Sequence, residues 1–436
     1  MGKTAAARAL IALLAALAAL PAPAAGQGGG AAADVPILVR DVTLIDGTGA
    51  APRPHMDLVL RGGRIAQVAA TGDVGGAPPD SVIDGRGLFA IPGLIDAHVH
   101  LGTAPWSERA DDLRHALMGG VTTVFDLAGD ARATGDLQRA ELAGQIEGPR
   151  IYYVALFGGP AFFTDPRTLD ASRGFAAGTA PWMQAVTDST DFARAVALAR
   201  GTGAVGIKLY AALDSVAVTR ATAEAHRQGL RVIAHATTFP ARPGDLVAAG
   251  ADMLAHTPYL VWQGSPRSAD FPDRAKGDFL HVPADAPVIE QLLRSMRDRG
   301  VALNPTLWVF AEELPRDSVS RVRSPWMYAV TRRAAELGVR IVAGTDGMFD
   351  AKRDSLPTLH RELELLVTRA GLTPLQAITA ATENGAWAIG VDRTLGTLVA
   401  GKAADLVLLG ADPTADIRNT RAVRVVIQRG KVVRAR

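Results

Sequence analysis

His98 and His100, in the stretch IPGLIDAHVHLG, stand one residue apart at the end of an apolar run. Strand side chains alternate between faces, so the two imidazoles point the same way and offer neighbouring nitrogens to one metal ion. The pair alone is a weak signal. With 9 histidines in 436 residues, roughly one chain in five carries this spacing by composition. Order strengthens it, because later apolar runs end in Lys208 (VGIKLY), His235 (RVIAHA), His256 (DMLAHT) and Asp346 (RIVAGTDG). Each is a ligating residue type at the exit of a buried strand. Zinc and similar ions accept imidazole and carboxylate, and catalytic sites keep a position open for water. The four histidines and Asp346 supply five such groups, enough for two ions sharing a bridging hydroxide. Lys208 is the odd member. A protonated lysine would be repelled by cations, and burial beside positive charge lowers its pKa. The neutral amine can take up carbon dioxide as a carbamate, which is a carboxylate on a long stem and can bridge two ions. The alternative is a salt-bridged lysine beside a single ion. Either way the pattern points to a metal-dependent hydrolase.

These residues need a scaffold that gathers strand ends. Between about residues 91 and 395, eight strand segments (94–100, 121–126, 150–156, 204–210, 231–236, 252–257, 301–306 and 340–346) alternate with helical segments, several of which end in Gly. Eight such units predict a (β/α)8 TIM barrel rather than an open sheet, and no glycine-rich dinucleotide fingerprint is present. The ligand candidates then fall at the C-terminal ends of the strands, the catalytic face of such barrels. Two connections, about 157–190 and 257–290, are long, hold Trp, Phe and Pro, and lie on that face, so they are expected to wall the substrate pocket. Short alternating strands at 36–90 and 396–436 cannot bury both faces of a sheet separately. They are expected to form one composite β-sandwich built from both ends of the chain.

Residues 1–25 have a secretory signal layout: Lys3 and Arg8, an apolar run from Ala9 to Leu20, and the small-residue site Ala22-Pro23-Ala24. The run is too short to span a membrane. Residues 26–35 read as a flexible leader. Without the signal cations the formal net charge falls from +2 to zero. No basic patch suggests nucleic acid, and no further stretch suggests a membrane. The chain has no cysteine, which suits an exported protein and excludes thiolate ligands. A periplasmic or secreted enzyme is expected, with homo-oligomerisation left open. Hydrophobic residues at 48% and charged residues at 21% are a globular balance.

AIPGLIDAHVHLG, GIKLYA, VIAHATT, the AGTDG strand end, and LTPLQAITAATENGAWAIG followed by GTLVAGKAADLVLLGADP occur in that order. Through this combination, nearly all of the mature chain resembles the amidohydrolase superfamily, in its imidazolonepropionase-like and prolidase-like (Xaa-Pro dipeptidase-related) branch. The resemblance implies a barrel with a composite β-sandwich, and hydrolysis of carbon–nitrogen bonds, less often of ester or phosphoester bonds. It implies that His98 and His100 bind the more buried ion, that Lys208 as carbamate bridges both, and that His235 and His256 bind the second. Asp346 is implied to touch the metal and shuttle the proton. Imidazolonepropionases use one metal without a bridging lysine, so Lys208 tilts the chain toward the two-metal side. Zinc suits the donor set, with manganese, cobalt or iron as alternatives.

The expected substrate is a dipeptide or an N-acyl amino acid. The alternatives are a mononuclear cyclic-amide hydrolase or deaminase, or an esterase or lactonase with the same metal site. A binding protein on an inactive barrel would lack a ligand, and none of the six is missing. Tyr210, on the Lys208 face, either hydrogen-bonds substrate or packs at the barrel rim. Asp126 reads as a residue that orients a ligand or, more in keeping with its place, as a helix N-cap, and Asn304 and Thr306 as pocket lining or packing. His115, His226 and His360 are expected to face solvent, His55 belongs to the β-sandwich, and His281 reads as an ordinary loop residue. Glu383 and Asn384 read as a helix cap, and Arg267 is one of many arginines suited to a substrate carboxylate.

Overall fold

The computed structural model describes residues 36–435, apart from 77–78, 80, 102–105, 267–269, 275, 315–317 and 348–354. The expected signal (1–25), leader (26–35) and Arg267 lie outside the described residues. The chain opens with β1 (Ile37–Leu44), β2 (Arg53–Arg61), β3 (Arg64–Ala70), β4 (Ser81–Asp84) and β5 (Phe89–Pro92). The barrel region holds β6 (Leu94–Val99), β7 (Val121–Asp126), β8 (Arg150–Gly158), β9 (Thr179–Ala180), β10 (Met183–Ala185), β11 (Gly206–Leu209), β12 (Arg231–His235), β13 (Met253–Ala255) and β14 (Ala302–Asn304). β15 (Leu406–Leu409), β16 (Val423–Gln428) and β17 (Lys431–Ala435) follow.

Both ends of the chain share one sheet, in the order β17-β16-β15-β5-β1-β2-β3 with β4 beside β1. The sheet curls until β3 meets the segment before β15, through the Arg64–Ala403 bridge and the Ile65 N–H donating to the Lys402 carbonyl at 2.9 Å. β15 shows why its sequence is continuously apolar. Leu406 and Leu408 enter the core inside the curl, while Val407 and Leu409 join the core shared with the barrel and its helices. An ion pair ties the two parts together: Arg150, at the start of β8, donates to Asp405 at 2.7 and 3.2 Å.

The barrel staves run parallel in the order β6-β7-β8-β11-β12-β13-β14. The expected eighth strand is a closing stave, residues 340–347, without a regular ladder. It bridges Leu303 at Ile341 and Val99 at Gly347, and the Asp346 N–H donates to the His98 carbonyl at 2.8 Å. Gly344 is the reason for the tight approach here. A Cβ at that position would stand 2.7 Å from both the His98 Cβ and the Asn304 carboxamide nitrogen. The helix Ser215–Arg227 typifies the outer ring. Asp214 caps it by accepting from the Ala217 N–H, and Val218, Ala221, Thr222 and Ala225 form its buried stripe.

The connection after β8 is more ordered than a long loop. It forms a helical turn (Pro160–Thr164), a short helix (Pro166–Ala171) and the β9–β10 hairpin, whose Met183 pairs in parallel with Leu156 of β8. Among the described residues no helix is long and apolar enough to cross a membrane.

Candidate metal centre

Five staves deliver the candidate ligands. His98 lies on β6 with His100 just past its end, Lys208 lies on β11, His235 ends β12, His256 follows β13, and Asp346 lies on the closing stave. Asp346 is the hub. Its Oδ1 is 2.9 Å from His100 Nε2 and 3.1 Å from His98 Nε2, and its Oδ2 is 3.7 Å from His256 Nδ1. Donor atoms of His98, His256 and Asp346 all lie within 4.8 Å of one another. The His235 ring joins from the other side, 4.8 Å from the His256 ring and 3.9 Å from Tyr210. Where the resemblance divides His98 and His256 between two ions, the geometry brings them close around one carboxylate. His256 and Asp346 both hold left-handed backbone, at φ 76° and 53°. For residues other than glycine such geometry costs about 1–3 kcal/mol, and it persists only where the surroundings over-determine it.

Burial dominates the electrostatics. It brings His98 down to about 4, helped by Lys208, and holds His235 and His256 well below the ordinary histidine range. These three imidazoles are therefore neutral near pH 7. Burial also brings Lys208 down to about 7, against the pull of Asp346. For Asp346, burial pushes the carboxyl up, but His98, His256 and the His100 hydrogen bond outweigh it and hold the group well below the usual carboxylate range. Among the candidate ligands, three buried nitrogens make no hydrogen bond: Lys208 Nζ, His235 Nδ1 and His98 Nε2, the last lying off the hydrogen-bond line despite its proximity to Asp346. Buried polar atoms without partners are rare. Neutral nitrogens gathered around a carboxylate form the donor set that a divalent cation takes, so the residues present fit a metal.

Further side chains orient these ligands. The Asn304 carboxamide oxygen accepts from His98 Nδ1 at 2.6 Å, which leaves Nε2 as the free lone pair. Asn304 in turn donates to the Val342 carbonyl at 2.9 Å. His100 Nδ1 donates to the Ala128 carbonyl at 3.1 Å, and His256 Nδ1 is 3.0 Å from the Thr306 hydroxyl. Asn304 and Thr306 thus hold ligands, where the sequence suggested pocket lining or packing. Sequence reasoning missed Asp96, which accepts from the Thr345 N–H and hydroxyl and from the His98 N–H, locking β6 to the closing stave. Its signal was present as Asp-x-His-x-His, three polar residues at strand spacing.

Several assignments change. Asp126 is no N-cap: Asp130 caps the helix Ala131–Leu142, while Asp126 accepts from the Ala128 N–H and the Thr134 hydroxyl. It thereby shapes the turn that offers the Ala128 carbonyl to His100. His360 does not face solvent, since it is buried between the Thr420 hydroxyl at 3.0 Å and the Gly119 carbonyl at 2.9 Å. His115 is half-buried, while His226, His281 and His55 are exposed and pair with Asp252, Asp278 and Asp41. Glu383 opens the helix Glu383–Ile389, and Asn384 donates to the Ile341 carbonyl at 2.9 Å on the closing stave.

The long connections supply the walls. Tyr210 stacks on Phe162 at 4.6 Å, and Phe271 lies parallel to the His235 ring at 5.6 Å and edge-on to Phe162. Tyr259 contacts both the His235 and His256 rings. Two guanidinium groups meet this aromatic tray. Arg274 lies 4.1 Å over the Phe271 ring and donates to the Phe271 carbonyl at 3.1 Å. Arg167 pairs with Asp165 at 2.7 Å, near enough to Tyr210 for the two to interact electrostatically.

The amidohydrolase family profile matches residues 89–433. An imidazolonepropionase of Symbiobacterium thermophilum is 27% identical over 408 residues, covering 88% of this chain and 91% of the relative. Among solved structures, a putative prolidase from Bifidobacterium longum superposes with a TM-score of 0.68 at 28% identity, covering 92% of this chain and 95% of that one. A Xaa-Pro dipeptidase with bound methionine in its active site superposes at 0.70 and 22% identity, covering 92% and 100%, and it shares the fold. The chain belongs to the amidohydrolase family and is a metal-dependent hydrolase acting on carbon–nitrogen bonds.

Proposed function

We propose that the protein is an exported binuclear amidohydrolase that cleaves the amide bond of a dipeptide or an N-acyl amino acid. The observation that carries this reading is the gathering of four histidines and Lys208 around Asp346, in which Lys208 Nζ, His98 Nε2 and His235 Nδ1 are buried without a hydrogen bond. His98, His100, His235, His256 and Asp346 would hold two divalent ions, zinc best suited to the donors, and Lys208 would bridge them as a carbamate. For that bridge the neutral amine lone pair attacks carbon dioxide, an N–C bond forms and one proton leaves to solvent. The ions, when bound, acidify an attacking water and polarise the scissile carbonyl. Asp346 accepts a proton from that water and passes it to the departing amine. Asn304 and Thr306 hold the His98 and His256 rings in register for this exchange.

Substrate preference follows from the walls. Phe162, Tyr210 and Phe271 suit an apolar side chain or acyl group. Arg274 makes no ion pair among the described residues and sits beside Tyr259, placed for a free carboxylate. Arg274→Met should lower kcat/KM about 10- to 100-fold on an N-acyl amino acid, the worth of one charged hydrogen bond. It should spare the matching C-terminal amide. An equal loss on both substrates would remove the carboxylate assignment.

A second reading, a mononuclear cyclic-amide hydrolase, is favoured by the tight His98–His256–Asp346 grouping, which one ion can span. Export rests on the layout of residues 1–25 and the absence of cysteine. N-terminal sequencing of the cell-exported protein should begin shortly after Ala24, whereas an intact Met1 in that fraction would contradict cleavage.

A further inference from the structure

One short segment, residues 304–310, touches the candidate centre repeatedly, and a single buried side chain fastens it. Glu362 lies fully buried on the helix Leu359–Thr368 and pairs with no cation among the described residues. Its carboxylate oxygens accept from the backbone N–H groups of Leu307 and Trp308 at 3.0 and 2.7 Å. Immediately before this clamp, Thr306 holds left-handed backbone at φ 51°. That conformation is a genuine outlier for a β-branched residue and needs neighbours that enforce it.

Three side chains of the clamped segment, Thr306, Trp308 and Phe310, reach the ligands or the backbone beside them. The Thr306 hydroxyl is 3.0 Å from His256 Nδ1, and the Phe310 ring stands edge-on to the His256 ring at 5.7 Å. The Trp308 ring fills the space beside Gly347, where a Cβ would lie only 2.6 Å from it. Gly347 directly follows Asp346, whose own backbone is left-handed. Two other buried carboxylates grip backbone beside the ligands, Asp96 at the Thr345 and His98 N–H groups and Asp126 at the Ala128 N–H. Asp96 holds β6 to the closing stave, and Glu362 holds the segment just beyond β14, whose Trp308 ring lies beside Gly347.

We infer that Glu362 is a positioning residue for the metal centre, setting His256 through Thr306 and Phe310, and Asp346 through the wedge of Trp308 on Gly347. This rests on the metal reading above. Glu362→Gln keeps the shape but turns a carboxamide N–H₂ toward one of the two backbone donors, releasing half of the clamp.

The test compares full-length wild type and Glu362→Gln, both stripped by chelation and titrated with zinc against a chromophoric chelator. The variant should bind zinc about 10- to 100-fold more weakly, the usual effect of losing an outer partner of a ligand. Its metal-free thermal midpoint should stay close to wild type, and kcat should remain reduced at saturating zinc with KM little changed. A variant with a lowered midpoint but wild-type zinc affinity and kcat overturns the inference, because a merely structural clamp behaves that way. A wild type that takes up no zinc overturns the metal reading and this inference together. Should Glu362→Gln not fold, Trp308→Leu tests the second route. It keeps the backbone clamp on the His256 side, so kcat should fall about tenfold or more, with a smaller loss of zinc affinity than in Glu362→Gln. Unchanged kcat in that variant overturns the wedge.

Discussion

Asp346→Asn should reduce kcat by about 10³-fold at saturating metal while leaving a folded protein, within the range that one general acid–base group contributes. The carboxylate stands within 2.9 Å of His100 Nε2 and 3.1 Å of His98 Nε2. An asparagine fills the same space but cannot accept the proton of the attacking water or return it to the leaving amine. Its N–H₂ group would also face nitrogens whose lone pairs are needed for metal, so some loss of affinity should accompany the loss of turnover. Saturating metal separates the two effects. The residual rate should lose the acidic limb of the pH profile, since the group that must be deprotonated is gone. A loss below tenfold, with that limb intact, would assign the proton transfer to another residue.

Lys208→Ala should have the second large effect, a fall in kcat of about 10³-fold or more, because the side chain proposed to bridge the two ions as a carbamate would be lost. Lys208 is fully buried, its Nζ has no hydrogen-bond partner, and burial brings its pKa down to about 7. A lysine kept for packing would find a carbonyl or carboxylate for its ammonium group, and this one has none. Short carboxylic acids added to the variant should restore part of the activity by entering the space of the missing side chain and replacing the carbamate. Thermal stability of the metal-free variant should change little, because truncation also removes a buried polar atom whose desolvation nothing offsets. Turnover equal to wild type would make Lys208 a packing residue and favour the mononuclear reading.

The centre is largely legible in the sequence because a barrel strand buried on both faces is a continuous apolar run. A polar residue where such a run ends, as at Lys208 or His235, is therefore conspicuous. Two kinds of feature stayed hidden. The first depends on contacts distant in sequence. His360 precedes Arg361 and Glu362 on a helix that looks exposed, yet Leu359, Glu362, Leu363, Leu365 and Leu366 are all buried there and its partners are Thr420 and Gly119. The roles of Asn304, Thr306 and Glu362 come from the same kind of distant pairing. The second kind is geometry without periodicity. β9 and β10 are two and three residues long, too short for any alternation to register. The closing stave is legible in its apolar run, but its pairing through two isolated bridges, at Ile341 and Gly347, is not. Asp126 and Asp130 lie one helical turn apart, and only the local backbone shows which of them caps the helix.

The most direct test of a bridged binuclear centre is metal content per chain, by elemental analysis of protein purified with bicarbonate and without chelator. The account predicts two ions per chain in the wild type, falling well below two in Lys208→Ala. One tightly held ion, unaffected by that substitution, would contradict it and direct the search for substrates to cyclic amides.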